Sequence, residues 1–445
     1  MLTRACLSLS LLVALPAWSQ VVPAATGSTD IQDDVYRMPI PPMVSGQAFP
    51  ATTLSETRSN YLDAGLTLQP AYDDNLAPNY GGHPISDMGY SISPAIELDQ
   101  LTPRLHQTWT YRPGFTIYQR MSARNEADQN ASLNLQYRLS PHITVSGQDT
   151  FLKSSNVFNQ PYSALDGAVS GLPPSLTADV IVPFADQLSN AANAELTYQF
   201  SRDGMIGAGG TSSLSNYLSQ AQSTGLYDSN SRGGSAFYNR RLTAAQYLGV
   251  TYQYLRIKSN PENEQLEIQT HTLYAFYTAI LAQRFSLSLA VGPQHVGMVL
   301  SPLPASASWT PAVVASISRQ GERTNIAASY SRSVSGGGGL LGAFTTNNAG
   351  ASAHWQLART WDVQAAAAYA IYKNVSALSL SSGQGGHSVS GTVSVDHSFS
   401  GHLSAQAGYQ RLHESYNGIA AITSDPDSDR EYISISYQFT RPLGR

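Results

Sequence analysis

The sequence predicts an all-β fold: a transmembrane, antiparallel, up-and-down barrel of about 18 strands, with 16 as the lower alternative. Three observations carry this. Short turns bearing a cation or a histidine return about every forty residues. Alternating apolar and polar residues flank nearly every turn for nine to thirteen positions. No apolar run of eighteen residues occurs after the first segment, which rules out helical spans.

The turns are expected near Pro103, Pro141, Asp203, Leu242, Gln283, Gly321, Arg359 and Gly401. Their positive or ionisable residues are Arg104, His142, Arg202, Arg241, Arg284, Arg323, Arg359 and His402. The gaps run 38, 62, 39, 41, 38, 38 and 42 residues. Eight short turns imply nine hairpins, hence eighteen strands with both termini in the periplasm. Weak alternation around residues 205–241 and 325–334 is what leaves sixteen open. A β-propeller shares the period, but it needs four strands per repeat and a recurring blade motif, and neither is present.

Residues 1–19 read as a signal peptide. Arg4 is the positive end, Ala5 to Leu15 the apolar stretch, and Ala17-Trp18-Ser19 the small-x-small site before Gln20. Residues 20–58, with Pro39-Ile40-Pro41-Pro42, Gly46 and Pro50, show no sustained period and read as a flexible periplasmic extension. The barrel is expected over 59–440, followed by a short tail, 441–445. Cys6, the only cysteine, falls within the signal, so the mature chain has no thiol chemistry.

Several strands are clear. In 387–399, Val389, Gly391, Val393, Val395 and Phe399 oppose Ser388, Ser390, Thr392, Ser394 and Asp396. In 361–372, Trp361, Val363, Ala365, Ala367, Tyr369 and Ile371 oppose Asp362 and Gln364. In 105–120, Leu105, Trp109, Tyr111, Phe115 and Ile117 oppose His106, Thr108, Thr110, Arg112, Thr116 and Arg120. The apolar set belongs on the lipid side and the polar set inside. Trp355 and Trp361 bracket the turn at Arg359, where an interfacial aromatic girdle is expected.

Composition agrees. Only 12% of residues are charged, about half the usual soluble share. Without Arg4 the chain has 24 basic residues against 30 acidic, and no basic run, which argues against nucleic-acid binding.

The last strand, Glu431-Tyr432-Ile433-Ser434-Ile435-Ser436-Tyr437-Gln438-Phe439, resembles the closing strand of bacterial outer-membrane barrels, which alternates and ends on an aromatic. Here Thr440 to Arg445 follow that aromatic. Over residues 60–445 the chain resembles the loosely defined β-barrel porin-2 group, some members of which are associated with exopolysaccharide export. The resemblance implies a cell-outer-membrane location, recognition by the barrel-insertion machinery, and passage of a solute that it does not identify.

Alternation nominates a set of pore-lining charges: Asp63, Glu97, Arg112, Arg120, Arg138, Glu195, Asp362 and Asp396. Their mixed signs predict weak ion selectivity. The 62-residue gap comes from a long excursion, about Ser154 to Asn190, placed as the third surface loop between strands five and six. Its Leu172, Ile181, Val182 and Phe184 need cover, and folding into the lumen as a constriction is the expectation. Deleting residues 160–185 would then raise conductance.

Chemical motifs are absent. Asp425-Pro426-Asp427-Ser428-Asp429 begins like a calcium loop, but Arg430 replaces the turn glycine and Ser436 the bidentate glutamate. His413-Glu414 begins like a zinc-protease motif, but Asn417 stands where the second histidine belongs. Asp396, His397 and Ser398 are consecutive strand residues and cannot form a triad. No enzyme, cofactor or metal is expected.

The expected function is an outer-membrane, porin-like channel for passive diffusion of small polar solutes. Two alternatives stand beside it. One is a component of exopolysaccharide export, with Tyr118, Tyr372 and Tyr432 as inward rings that stack on sugars. The other is a structural or adhesive barrel with a filled lumen. The expected partners are membrane lipid and lipopolysaccharide, the insertion machinery, further copies of the chain, and small polar solutes or oligosaccharides.

Overall fold

A computed structural model describes residues 60–76, 84–156, 158, 186–218, 226–259, 266–281, 285–300, 305–336, 342–375, 385–417 and 427–443. The leader, the extension 20–58 and the loop residues Leu172, Ile181, Val182 and Phe184 lie outside them.

The described chain forms eighteen strands. The first six are β1 (Tyr61–Asp73), β2 (Asp87–Leu101), β3 (Leu105–Tyr118), β4 (Glu126–Arg138), β5 (Ile143–Ser154) and β6 (Gln187–Ser201). Next come β7 (Gly204–Tyr217), β8 (Ser229–Thr243), β9 (Gln246–Ser259), β10 (Leu266–Ile280), β11 (Phe285–Leu300) and β12 (Ser306–Gln320). The last are β13 (Thr324–Ser335), β14 (Phe344–Ala358), β15 (Trp361–Asn374), β16 (Gly385–Ser398), β17 (Leu403–Asn417) and β18 (Ser428–Pro442). Each pairs antiparallel with its neighbours in sequence, and β1 pairs with β18, so the sheet closes and no edge is left. Closure satisfies the backbone donors and acceptors that lipid cannot.

Short and long connections alternate around the barrel, and the eight short ones fall where the turn residues placed them. One is displaced. Leu242 still belongs to β8, and the turn follows at Ala244–Ala245. A register shift between Arg241 and Thr243 inserts an extra residue and carries the strand past the expected turn. The chain end also differs from expectation. β18 continues through Pro442, with Arg441 opposite Leu62 and Pro442 opposite Tyr61, because β1 offers partners that far.

Within the stretches of weak alternation, the described residues pair as β7, β8 and β13, which makes the count eighteen. Glycines such as Gly209, Gly210, Gly233 and Gly234 blur the side-chain pattern but leave the backbone ladder intact.

The two faces are chemically distinct. Leu66, Leu68, Ile92, Phe115, Leu196, Val250, Leu289, Val393 and Ile435 project outward and are exposed. Trp109, Trp355 and Trp361 sit on the same face near the short turns, the position of an interfacial girdle. Trp309 marks the long-loop end.

Candidate functional site

An eighteen-strand barrel is wide enough to hold an aqueous channel, so the lumen is the candidate site. Its inner wall differs from one arc to the next. On β9–β12 two groups of inward apolar side chains are buried among inward Thr, Ser and Gln residues. Ile257, Leu266, Ile268, Val296 and Met298 form one cluster, and Tyr274, Phe276, Ala290 and Ala312 another. Val334 and Ala343, at the β13–β14 tip, join the first cluster from four strands away. The Val334 amide donates to the inward Gln294 side chain at 3.0 Å, so this tip leans into the barrel. Alternation in β13 alone did not signal it.

The remaining arc is polar and carries charge. Asp63, Glu97, Glu195, Asp362 and Asp396 all point inward by strand parity and register. So do Asp73, Asp87, Asp99, Glu126, Asp128 and Glu414. The described strands therefore aim eleven carboxylates at the lumen. Four arginines answer them: Arg112, Arg138, Arg241 and Arg430. The inward set on the described strands is more acidic than the mixed signs of the eight nominated residues suggest. Most basic residues on the strands, Lys153, Lys258 and Lys373 among them, fall on the outward parity. Arg120 is not on the wall at all. It lies two residues past β3, with 69% of its side chain exposed, 3.9 Å from Asp87 at the rim.

The nominated acids do meet one another. Asp63 stands directly opposite Glu97 on β1 and β2, and Asp362 directly opposite Asp396 on β15 and β16. All four lie near the short-turn ends of their strands, separated only by β17 and β18. Like charges directly opposed are costly, and these two pairs form an acidic arc. Compensation from the protein is partial. Arg112 reaches Glu97 at 3.5 Å, and His354 reaches Asp362 at 3.2 Å. Beside them, Asp99 accepts from Thr108 at 3.3 Å and contacts His106 at 3.3 Å. Glu195 stands apart, buried in β6, and one of its carboxylate oxygens has no hydrogen-bond partner among the described residues.

At the long-loop end, Arg430 of β18 forms a two-pronged pair with Asp73 of β1, at 2.5 and 2.9 Å. The Phe158 ring stacks 4.9 Å from the guanidinium, and the Asn156 amide donates to the Tyr118 hydroxyl at 3.2 Å. Asn156 and Phe158 follow β5, so the described start of the long excursion reaches inward to β3 and β18. Just outside β1, burial holds the Asp74 carboxyl above its ordinary pKa, even though the Asp429 amide donates to it.

Inward aromatic rings lie back against the wall. Tyr118 is opposite Gly89, Tyr432 opposite Gly408, and Gly386 lies between Tyr372 and Tyr416. A side chain at Gly386 or Gly408 would strike the facing ring. Tyr118 and Tyr372 are only 3% and 2% exposed, so they present almost no face for a sugar to stack on. Tyr432 is half-buried. The same arrangement repeats at Gly249–Phe276 and Gly207–Phe237.

A closed antiparallel barrel, apolar outside and polar within, defines an integral β-barrel of the outer-membrane class. No family model matches the chain, and no curated protein does. Among solved structures, it is similar to Pseudomonas aeruginosa OccK2 (OpdF) at 9% identity and a TM-score of 0.43, over 86% of this chain and 98% of that one. Pseudomonas aeruginosa OpdQ is similar at 12% identity and a TM-score of 0.40, over 85% and 99%. The ferric citrate transporter FecA in its unliganded form is similar at 9% identity and a TM-score of 0.43, over 87% and 80%.

Proposed function

We propose that this chain is an outer-membrane channel for passive diffusion of small polar solutes, and that its wall favours cations over anions. The carrying observation is the acidic arc, Asp63–Glu97 and Asp362–Asp396, which Arg112 and His354 compensate only in part. Fixed charge on a hydrated wall raises the local concentration of counter-ions and excludes co-ions, without any chemical step.

The test is the zero-current potential of single channels in a planar bilayer under a salt gradient. The protein is first shown to be folded by heat-modifiable gel migration. A potential of the cation-selective sign is expected. An anion-selective sign or no potential would overturn the selectivity, and a folded but electrically silent barrel would overturn diffusion itself.

A further inference from the structure

The outer wall carries a cation cluster that conduction does not use. Arg232 on β8 and Arg256 on β9 are directly opposite in register, and both project to the lipid side. Lys258 is the next outward residue along β9. Directly opposed like charges destabilise a sheet. Glu267 on β10 compensates in part, accepting two hydrogen bonds from Arg256 at 2.8 and 2.6 Å and lying 3.7 Å from Lys258. No carboxylate among the described residues pairs with Arg232. Among the described residues, three cations against one carboxylate leave an excess of two positive charges.

Height on the wall matters as much as charge. Immediately below, toward the middle of the strands, an aromatic row crosses β9–β12. Tyr254 lies 5.0 Å from His271, His271 6.2 Å from His295, and His295 4.9 Å from Trp309. Trp309 is 70% exposed. Such a row marks the membrane interface. The cations therefore stand at headgroup level, at the long-loop end, above outward apolar residues such as Val250 and Leu273.

We propose that Arg232, Arg256 and Lys258 bind a phosphomonoester of the outer-leaflet glycolipid, the phosphorylated glucosamine headgroup of lipopolysaccharide. A phosphomonoester carries close to two negative charges at neutral pH and matches the excess at this site. Two guanidinium forks and one flexible ammonium suit its several oxygens. A phosphodiester headgroup brings only one negative charge. The acyl chains then continue down the apolar wall. The inference rests on the outer-membrane placement proposed above, but not on conduction.

The experiment titrates the full folded chain in detergent with bisphosphorylated lipid A and counts bound lipids by native mass spectrometry. Its comparators are the same lipid stripped of phosphate, phosphatidylglycerol, and inorganic phosphate alone. Tight binding of the phosphorylated form only is expected. Arg232→Gln with Lys258→Gln should weaken it by at least tenfold. Arg232→Lys should fall between, and Arg319→Gln, an outward cation near the short turns, should change nothing. Arg256 is left intact so that Glu267 is not stranded. If the double variant fails the heat-modifiability check, Arg232→Gln alone gives the reading.

Equal binding of the stripped lipid or of phosphatidylglycerol would overturn the proposal, as would unchanged affinity in the variants. Competition by inorganic phosphate alone would make this a free-anion site and overturn the lipid assignment. A variant that loses oligomeric mass while keeping its lipid would assign the face to a second copy of the chain. A barrel that binds this lipid but conducts nothing would sink the channel reading and leave this one standing.

Discussion

Arg430 and Asp73 face each other across the seam where β18 meets β1, and both are almost wholly buried. The pair therefore joins the two ends of the chain at the point of closure, under the ring of Phe158. Removing one partner strands a buried charge, which costs about 3–5 kcal/mol, whereas removing both costs less. Asp73→Asn and Arg430→Met should each lower the urea midpoint of the folded band on unheated gels. The double variant should recover part of the loss. Equal loss in all three would mean that the pair contributes through packing alone.

Gly408→Ala is expected to act on conductance more than on stability. The new methyl group meets the far end of the Tyr432 ring, which can swing away from the wall toward the lumen. Single-channel current should fall, and Tyr432→Ala in the same background should restore it. Gly386→Ala should behave differently. Its methyl also strikes the Ser415 backbone carbonyl, which cannot swing aside, so stability should fall instead.

Neutralising the acidic arc should abolish most of the cation preference. Asp63→Asn, Glu97→Gln, Asp362→Asn and Asp396→Asn together should move the zero-current potential toward zero. Arg112→Gln should move it the other way, because it frees Glu97 from its partial counter-charge. Salt-gradient recordings on the three proteins decide the matter.

Ile268→Ala separates scaffold from passage. Ile268 is 1% exposed in the apolar cluster on β9–β11, and a cavity there should cost about 2–5 kcal/mol. The zero-current potential should stay unchanged, since the cluster carries no charge. A changed potential would place this arc in the permeation path.

Architecture was legible because it is written locally. The turn residues Arg104, His142, Arg323 and Arg359 mark the short connections, and alternation on either side fixes which face is apolar. The inward acids Asp63, Glu97, Asp362 and Asp396 could be picked from the same parity. Net wall charge could not, because it requires parity for every strand, including glycine-rich β7 and β8, whose alternation is faint. The shifts at Gln199/Ser201, Arg241/Thr243 and Gln356/Ala358 exchange the two faces where they occur. The seam pair Asp73–Arg430 and the contact of Val334 with the β9–β11 wall join residues far apart in sequence. Their partners are set by closure, which no local pattern records.

The two buried apolar clusters on β9–β12 have a consequence for what water reaches. Ile268, Tyr274, Phe276 and Ala312 have almost no accessible surface, while inward Thr67, Ser91, Gln148 and Gln364 retain some. Water therefore meets those polar side chains more than it meets the apolar clusters. The two clusters can vary in sequence as long as they remain apolar and hold the wall in place, because they offer a solute almost no surface.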